Sequence, residues 1–293
     1  MHPYHADWEH VLAHPRTHTL VSLAISEDLE TVGDVSSDPI FSEQHRSTAT
    51  LTCRESATVC GLPLAHYIAT QYHDELECLP LVDEGAHVNP GQQVATLRGP
   101  TREILKAERT ILNFLTRLSA IATHTRQCVD EVPADSPTKI LDTRKTLPGY
   151  RWLDKLAVHI GGGENHRVGL YDMIMIKDNH IAAAGGISNA THATRTAHPD
   201  LPIEIEVDTL EQLDEALSLE PDMILLDNFT DGQVKEALSR RAERRTLLEA
   251  SGGITHERIG RLAALGVDRI SLGALTHTID PIDFGLDDPT PCT

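Results

Sequence analysis

Short apolar runs alternate with amphipathic helical segments through the second half of this chain, and this alternation constrains the fold more than any other feature. Thr209 and Thr255 stand at the N-cap positions of two such helices, and Gly266 follows the second as a C′ residue. Strands that alternate with helices predict a parallel sheet, either open or closed into a barrel. The runs with strand-like composition are Ile140–Leu141, Met173–Ile176, Ile203–Val207, Met223–Leu226, Thr246–Leu248 and Arg269–Leu272.

Each of these runs ends in polar residues or glycine, which favours a barrel over an open sheet. Functional groups collect at the carboxyl ends of the strands in a (β/α) barrel, because those ends ring one mouth. Only about six strands are evident. The predicted fold class is therefore α/β with an incomplete (β/α) barrel, and an open doubly wound sheet is the alternative. The residues at the ends of the runs are Asp142, Arg144, Lys145, Lys177, Glu206, Asp227, Ser251, Gly252, Gly253 and Gly273.

The first half of the chain has a different texture. Short β-like runs such as Thr48–Cys53 precede a long helix candidate, Ile104–Val132, whose apolar residues recur at helical spacing. The segment Val82–Leu97 resembles the hairpin of biotinyl or lipoyl carrier domains. A carrier needs a lysine at the hairpin tip, and none occurs between Met1 and Pro100. We therefore predict a structural hairpin, and a non-catalytic carrier is the weaker alternative.

The charge balance is strongly acidic, with 25 Lys and Arg against 44 Asp and Glu and a formal net charge of −19. Such a chain is not expected to bind nucleic acid, which requires a basic face. No apolar run reaches the length of a membrane span, and the N-terminal residues lack the apolar core of a signal peptide. Five scattered cysteines without a CxxC pair favour free thiols in a reducing cytoplasm.

Against this acidic background, the segment 142–180 concentrates cationic and donor groups: Arg144, Lys145, His166, Arg167 and Lys177. Arginine and lysine clusters of this kind predict a site for a small, multiply charged anion.

Two further groups of residues complete the predicted site. The carboxylates of Glu206 and Asp227 can hold Mg²⁺, although Glu206 could instead face solvent and Asp227 could cap the next helix. Ser251–Gly253 and Gly273 can present backbone N–H groups to a phosphate. The combination suits a phosphorylated sugar with a pyrophosphate leaving group and a second anionic substrate.

Several longer motifs, spread over nearly the whole chain, resemble the quinolinate phosphoribosyltransferases, which are type II phosphoribosyltransferases. The chain differs from the family pattern at Ala120, usually glycine, and in a longer loop after Leu29. The motifs are AERTILNFL (Ala107–Leu115), DTRKTLPG (Asp142–Gly149), GGGENHRVGLYD (Gly161–Asp172), IKDNHI (Ile176–Ile181), EIEVDTLEQ (Glu204–Gln212), ILLDNF (Ile224–Phe229), SGGIT (Ser251–Thr255) and GALTH (Gly273–His277).

The resemblance implies a mixed α/β sandwich domain over residues 1–116 and a catalytic α/β barrel over 117–280, with the tail 281–293 packing back. It also implies a homodimer with shared active sites, and a reaction in which quinolinate and phosphoribosyl pyrophosphate, with decarboxylation, give nicotinate mononucleotide, pyrophosphate and CO₂. A molybdenum-transport-associated relative is the alternative.

The resemblance also implies a role for each matched residue. Arg144, His166, Arg167 and Lys177 surround the quinolinate carboxylates, and Arg109 reaches in from the other subunit. Lys145, Glu206 and Asp227, with Mg²⁺, serve phosphoribosyl pyrophosphate. Its 5′-phosphate is placed at Ser251, Gly252, Gly273 and His277.

Overall fold

The structure is a computed structural model and describes residues 4–292. Residue contacts divide this part of the chain into two compact units. The N-terminal unit comprises residues 4–126, Thr146–Gly162 and 275–292, and the barrel unit comprises Gln127–Lys145 and Gly163–Ala274. The boundaries expected from the sequence, 1–116 and 117–280, stay a prediction, because compact units defined by contacts need not fold independently. Thr293, at the end of the predicted tail, lies outside the described residues.

Helices and strands follow one another along the chain as follows. The strands are β1 (Arg46–Cys53), β2 (Ala57–Thr58), β3 (Glu77–Pro80), β4 (His87–Val88), β5 (Gln92–Pro100), β6 (Lys139–Leu141), β7 (Ile174–Ile176), β8 (Ile203–Val207), β9 (Met223–Asp227), β10 (Leu247–Ser251), β11 (Arg269–Ser271) and β12 (Phe284–Pro291). The helices are α1 (Trp8–Ala13), α2 (Pro15–Leu29), α3 (Ser37–Ile40), α4 (Leu62–Tyr72), α5 (Thr101–Asp130), α6 (Arg151–Ile160), α7 (Asp178–Ala184), α8 (Ile187–Ala197), α9 (Leu210–Ser218), α10 (Asp231–Arg241), α11 (His256–Leu265) and α12 (Ala274–His277). None of the described helices is both long and apolar enough to cross a membrane.

The N-terminal unit is built on a four-stranded antiparallel sheet with the order β12-β1-β5-β3. Residues of β1 alternate between half-buried and buried, as expected when one face of a sheet packs on a core. Helix α5, predicted at Ile104–Val132, begins at Thr101 and buries Ile111, Leu115 and Leu118 completely. The last strand, β12, pairs with β1 and closes one edge of the sheet.

The hairpin predicted over Val82–Leu97 is wrong. Strand β4 pairs with β2, whereas β5 lies between β1 and β3, so both edges of β5 are already occupied by other strands. The segment nevertheless contains turns at two of its glycines. Gly85 and Gly91 have φ values of 80° and 83°, in the left-handed region that favours glycine.

The barrel unit contains a six-stranded parallel sheet with the order β6-β11-β10-β9-β8-β7. Strands that follow one another in the chain are neighbours, except that β6 pairs with β11, as in a ring. No ladder joins β6 to β7 among the described residues; a single isolated bridge, Leu141 to Glu164, lies beside β6. The predicted incomplete (β/α) barrel is therefore confirmed.

Local signals in the sequence position the barrel helices. The Thr209 hydroxyl accepts a hydrogen bond from the backbone N–H of Gln212 at the start of α9, and Gly266 ends α11 with φ 89°. Thr255 occupies the N-cap position of α11 without a side-chain hydrogen bond. Strand β10 continues beyond the run predicted at Thr246–Leu248 and so includes Glu249.

Candidate active site

The carboxyl ends of the barrel strands carry most of the residues predicted to act. Because the strands are parallel, these ends lie at the same edge of the sheet. The residues found there, strand by strand, are Asp142, Arg144 and Lys145 after β6, Lys177 after β7, Glu206 in β8, Asp227 at the end of β9, Ser251 and Gly252 at β10 and Gly273 after β11.

Lys177 and Glu206 form an ion pair between neighbouring strands. Ile176 lies opposite Ile205 in the parallel register, so the residue after each comes to the same level. The Glu206 side chain is 15% exposed, which answers the question left open by the sequence: it does not extend into solvent. Lys177 is half-buried, and the carboxylate supplies the partner that a cation in this position requires.

Asp227 lies in the same electrostatic environment. Partial burial and the nearby charge of Asp208 raise the pKa of the Asp227 carboxyl, while the charges of Lys177 and Lys145 act in the opposite direction. The amide of Asn228 donates a hydrogen bond of 2.8 Å to its carboxylate. Asp227 is the last residue of β9 and does not cap α10, whose N-cap is Thr230.

The oxygen donors of this group fit a hard divalent cation. The three carboxylates of Glu206, Asp208 and Asp227 are half-buried or exposed, and carboxylate oxygens are the ligands that Mg²⁺ prefers. Glu206 lies opposite Leu225 in the register of β8 and β9, so Asp227 is two residues further along the neighbouring strand and on the same face. An ion would have to share Glu206 with Lys177.

Arg144 and Arg167 form an electropositive pair at the same site. Both are half-buried. Burial, followed by the positive charge of Arg144, lowers the pKa of the Arg167 guanidinium. Two like charges placed within electrostatic reach of each other are stabilised when an anion binds between them.

The loop after β10 is shaped by a close approach to Asn228. Gly252 has φ 90°, and a Cβ atom there would lie 2.2 Å from the Asn228 side-chain oxygen. The backbone N–H of Asn228 donates to the Ser251 carbonyl at 3.0 Å, so the loops after β9 and β10 are tied together. A Cβ added at Gly253, with φ 57°, would meet no atom within 4 Å. The loop is thus tightly packed at Gly252 and open at Gly253.

The barrel unit also contains a buried cluster of charged residues, of which the sequence analysis predicted only His166. His166 was predicted to bind substrate, but its Nε2 lies 2.9 Å from Glu204 and 3.4 Å from Glu249, two fully buried carboxylates. Arg269 contacts Glu249 at 3.3 Å. Glu204 could have been found, because residues two apart in IEIEV share a face, and Glu206 was already placed at the site.

The remaining two predicted residues belong to the N-terminal unit. Arg109 is an exposed residue of α5, and His277 is exposed at the end of α12. The hydroxyl of Thr278 lies 2.5 Å from Nδ1 of His277. Within the barrel unit, Lys177 pairs with Glu206, and the charges of Lys177 and Lys145 both act on Asp227. These four predicted residues therefore form one group.

The arrangement can bind two anionic ligands side by side. The pair of arginines suits a group with fixed negative charge, and the carboxylates with their lysines suit a metal-bound polyphosphate. The glycine loop after β10 offers backbone to a terminal phosphate.

Two family models match this chain. The model of the N-terminal domain of quinolinate phosphoribosyl transferase matches residues 34–119, and the model of its C-terminal domain matches residues 121–287. Together the two matches cover most of the chain.

Curated relatives and solved structures agree with these matches. The carboxylating nicotinate-nucleotide pyrophosphorylase of Mycobacterium leprae is 43% identical over 268 residues, which cover 90% of this chain and 94% of that protein. A probable enzyme of the same name from Bacillus subtilis is 40% identical, covering 89% of each chain. The crystal structure of NadC from Streptococcus pyogenes superposes with a TM-score of 0.90 at 34% identity, covering 95% of this chain and 98% of that one. This chain therefore belongs to the quinolinate phosphoribosyltransferase family.

Proposed function

We propose that the carboxyl ends of the barrel strands are the site at which this chain carries out the reaction of its family. The chain is a carboxylating nicotinate-nucleotide pyrophosphorylase, a pentosyltransferase of NAD biosynthesis. It transfers the phosphoribosyl group of phosphoribosyl pyrophosphate to quinolinate and releases pyrophosphate and CO₂. The matched names give no support to the molybdenum-associated alternative.

The observation that carries this assignment of the site is the pairing of Arg144 with Arg167. Quinolinate has two adjacent carboxylates, and two guanidinium groups offer the planar, forked donors that bind carboxylates with two hydrogen bonds each. Lys177 adds a third positive charge close by. Nicotinate has only one carboxylate and would leave part of this charge unbalanced, so it should be a poor substrate.

Phosphoribosyl pyrophosphate occupies the other part of the site in this proposal. Glu206 and Asp227 would hold Mg²⁺ through carboxylate oxygens, and the bound ion supplies positive charge against the pyrophosphate leaving group. Lys145, which is exposed, adds a positive charge on the same side. Ser251, Gly252 and Gly273 receive the 5′-phosphate through backbone and hydroxyl donors.

The reaction follows from this placement of the two substrates. The pyridine nitrogen of quinolinate attacks C1 of the ribose while the bond to pyrophosphate breaks, and the cationic groups balance the charge that develops on the leaving oxygens. The pyridinium formed in this step draws electrons from the adjacent carboxylate, so the C2 carboxylate leaves as CO₂ and a proton takes its place. The protein contributes orientation and fixed charge.

The direct test is to measure pyrophosphate and CO₂ release with quinolinate, phosphoribosyl pyrophosphate and Mg²⁺, and to run nicotinate in parallel. We expect both products with quinolinate and little turnover with nicotinate. Equal rates with the two substrates would contradict the role of the arginine pair in recognising two carboxylates.

We also propose that two copies of the chain share their active sites, with Arg109 of the partner subunit completing each site. Support comes from the exposed position of Arg109 on α5, where it is available to another chain. Mixing inactive Arg109→Ala and Arg167→Ala variants should restore activity, because a hybrid dimer contains one site with both native residues. Statistical pairing would restore about a quarter of the wild-type sites. Failure of the mixture to regain activity would contradict sharing.

A cytoplasmic location completes the proposal. The five cysteines are free, and four of them are buried, so no disulfide contributes to the described fold. A reducing compartment suits such a protein. Fractionation of the native host, with activity recovered in the soluble cytoplasmic fraction, would test this location.

A further inference from the structure

The end of α5 and the start of α11 place a thiol beside an imidazole. Cys128 is buried in the last turn of α5, and its Sγ lies 3.8 Å from Nε2 of His256, the first residue of α11. Both residues belong to the barrel unit. Neither is among the residues proposed to bind the two substrates, so this pair calls for an explanation of its own.

A second imidazole lies next to the thiol on the same helix. His124 stands four residues before Cys128, and α5 continues between them without a break, so both side chains lie on one face of the helix. The sulfur and one ring nitrogen from each of His124 and His256 lie within 4.8 Å of one another. Zinc sites on helices use the same spacing of four residues for two ligands. Three donor atoms thus converge from two helices.

The measured distance agrees with the geometry of a tetrahedral metal ion. Zinc binds thiolate sulfur at about 2.3 Å and imidazole nitrogen at about 2.0–2.1 Å, so the two ligand atoms of one ion lie about 3.6 Å apart. The distance of 3.8 Å between Cys128 and His256 is close to this value. A hydrogen bond from the thiol to one ring would account for this pair, but it would not account for the second imidazole.

The donor atoms distinguish this cluster from the carboxylates of the active site. Sulfur and imidazole nitrogen suit Zn²⁺, whereas Mg²⁺ prefers oxygen. Glu206 and Asp227 offer oxygen only, and His124, Cys128 and His256 offer none in their side chains. The two groups should therefore select different ions.

Charge in the surroundings also favours a bound cation. Burial raises the pKa of the Cys128 thiol to about 12, and the negative charge of Glu131 acts in the same direction. The sulfur therefore keeps its proton until a metal ion displaces it. A thiolate would then neutralise one of the two charges of Zn²⁺, and the nearby carboxylate of Glu131 would offset the other.

We propose that His124, Cys128 and His256 bind one Zn²⁺ ion, with water as the fourth ligand, at a site separate from the proposed Mg²⁺ site. Three protein ligands and a water are an established set for this ion. The ion would connect the end of α5 with the start of α11, which follows the loop containing Ser251–Gly253. The site involves neither substrate, so the inference goes beyond the proposed function and does not depend on it.

Cobalt substitution tests the sulfur ligand directly. Co²⁺ added to the metal-free full-length protein should produce a thiolate-to-cobalt charge-transfer band at one ion per chain, which Zn²⁺ removes and excess Mg²⁺ leaves unchanged. The band should be absent in Cys128→Ser. Cys78→Ser is the matched control and should keep it, because burial raises the pKa of the Cys78 thiol to about 12 as well. A band that survives in Cys128→Ser, or no band in the wild type, would overturn the proposal.

Histidine variants cover the case in which Cys128→Ser fails to fold. Calorimetry with Zn²⁺ should show affinity reduced by more than about 100-fold in His124→Ala and in His256→Ala, since loss of an outer-shell partner alone costs about 10–100-fold. His192→Ala, at an exposed position of α8, should bind like the wild type. Each bound ion should also release about one proton from the thiol at pH 8. Unchanged affinity in both ligand variants would contradict the site.

Discussion

The two units bury charge in different ways. In the N-terminal unit, the fully buried Asp154 receives two hydrogen bonds from Arg117, at 2.9 and 2.8 Å, and Arg117 also donates to the Thr276 carbonyl. One negative charge meets one positive charge. In the barrel unit, two buried carboxylates share one arginine and one imidazole. The balanced pair holds packed elements together, whereas the two carboxylates in the barrel raise the pKa of His166 to about 9, against the effect of its burial, and so favour the protonated ring.

The largest expected effect is on kcat/KM for quinolinate, and it comes from Arg167 in the barrel unit. Arg167→Ala removes a guanidinium proposed to bind a carboxylate with two hydrogen bonds, and we expect kcat/KM for quinolinate to fall by about 10²–10³-fold with the fold intact. Arg261→Ala, on the exposed face of α11, is the matched control and should stay near wild type. Near-normal kinetics in Arg167→Ala would remove this residue from the site.

The next largest expected effect is a loss of stability when the Arg117–Asp154 pair is broken. Arg117→Ala leaves the Asp154 carboxylate buried without its partner, and the free energy of unfolding should fall by about 3–5 kcal/mol. The control is Arg46→Ala, which breaks an exposed pair with Glu75 in the same unit and should cost about 0–1 kcal/mol. Urea denaturation measures both. Equal losses in the two variants would show that burial does not set the difference.

The half-buried carboxylate of Glu84 gives a pH dependence of known sign. Burial raises the pKa of Glu84, although the N–H groups of Gly61, Leu62 and Trp8 donate to it. The folded state therefore binds this proton more tightly than the unfolded state, and the contribution of Glu84 to stability falls as the pH rises above 4.5.

The stability advantage of the wild type over Glu84→Gln should accordingly shrink between pH 4.5 and the raised pKa. We expect this change to be smaller than the loss in Arg117→Ala. Urea unfolding of both proteins across this range measures it, and an advantage that grows with pH would contradict the assignment.

The smallest expected change in the free energy of unfolding comes from an uncharged hydrogen bond. Thr209→Ala removes the cap of α9 and should reduce the free energy of unfolding by about 1 kcal/mol. Thr255→Ala is a matched control, since Thr255 occupies the same position of α11 without a side-chain hydrogen bond. Thermal unfolding of the two variants should therefore separate them, and a larger loss in Thr255→Ala would contradict the expectation.

Much of the barrel was predictable because its signals are local. The apolar runs, the cap at Thr209 and the C′ glycine at Gly266 each depend on residues a few positions apart, and the structure contains all six predicted strands. The N-terminal unit depends on distant pairings, such as Leu51 with Leu286, which no local pattern reveals. This is why the predicted hairpin failed.

The candidate site was predictable to a similar extent. Residues at strand ends could be found from the sequence, since parallel topology collects them at one edge. Glu249 was missed because the apolar run seemed to end before it, and a carboxylate within a buried strand is recognisable only when its partners are known. His166 lies where the cationic segment predicted, but its Nε2 faces carboxylates on β8 and β10, two strands that are not neighbours, and spacing along the chain cannot show this.

The gap in the barrel has a mechanical consequence. A closed ring of strands can widen only by breaking a ladder, but this sheet is a split ring with a seam between β6 and β7. Beside β6, two backbone bonds, Glu164 N–H to Ile140 and Asp142 N–H to Glu164, hold the chain at 2.8 and 3.3 Å. Opening at this seam would move Arg144 and Lys145, which follow β6, away from Lys177, which follows β7, without stretching the five strand pairings. Among the described strands, this seam is therefore the place where the width of the charged mouth can change while the five strand pairings keep their register.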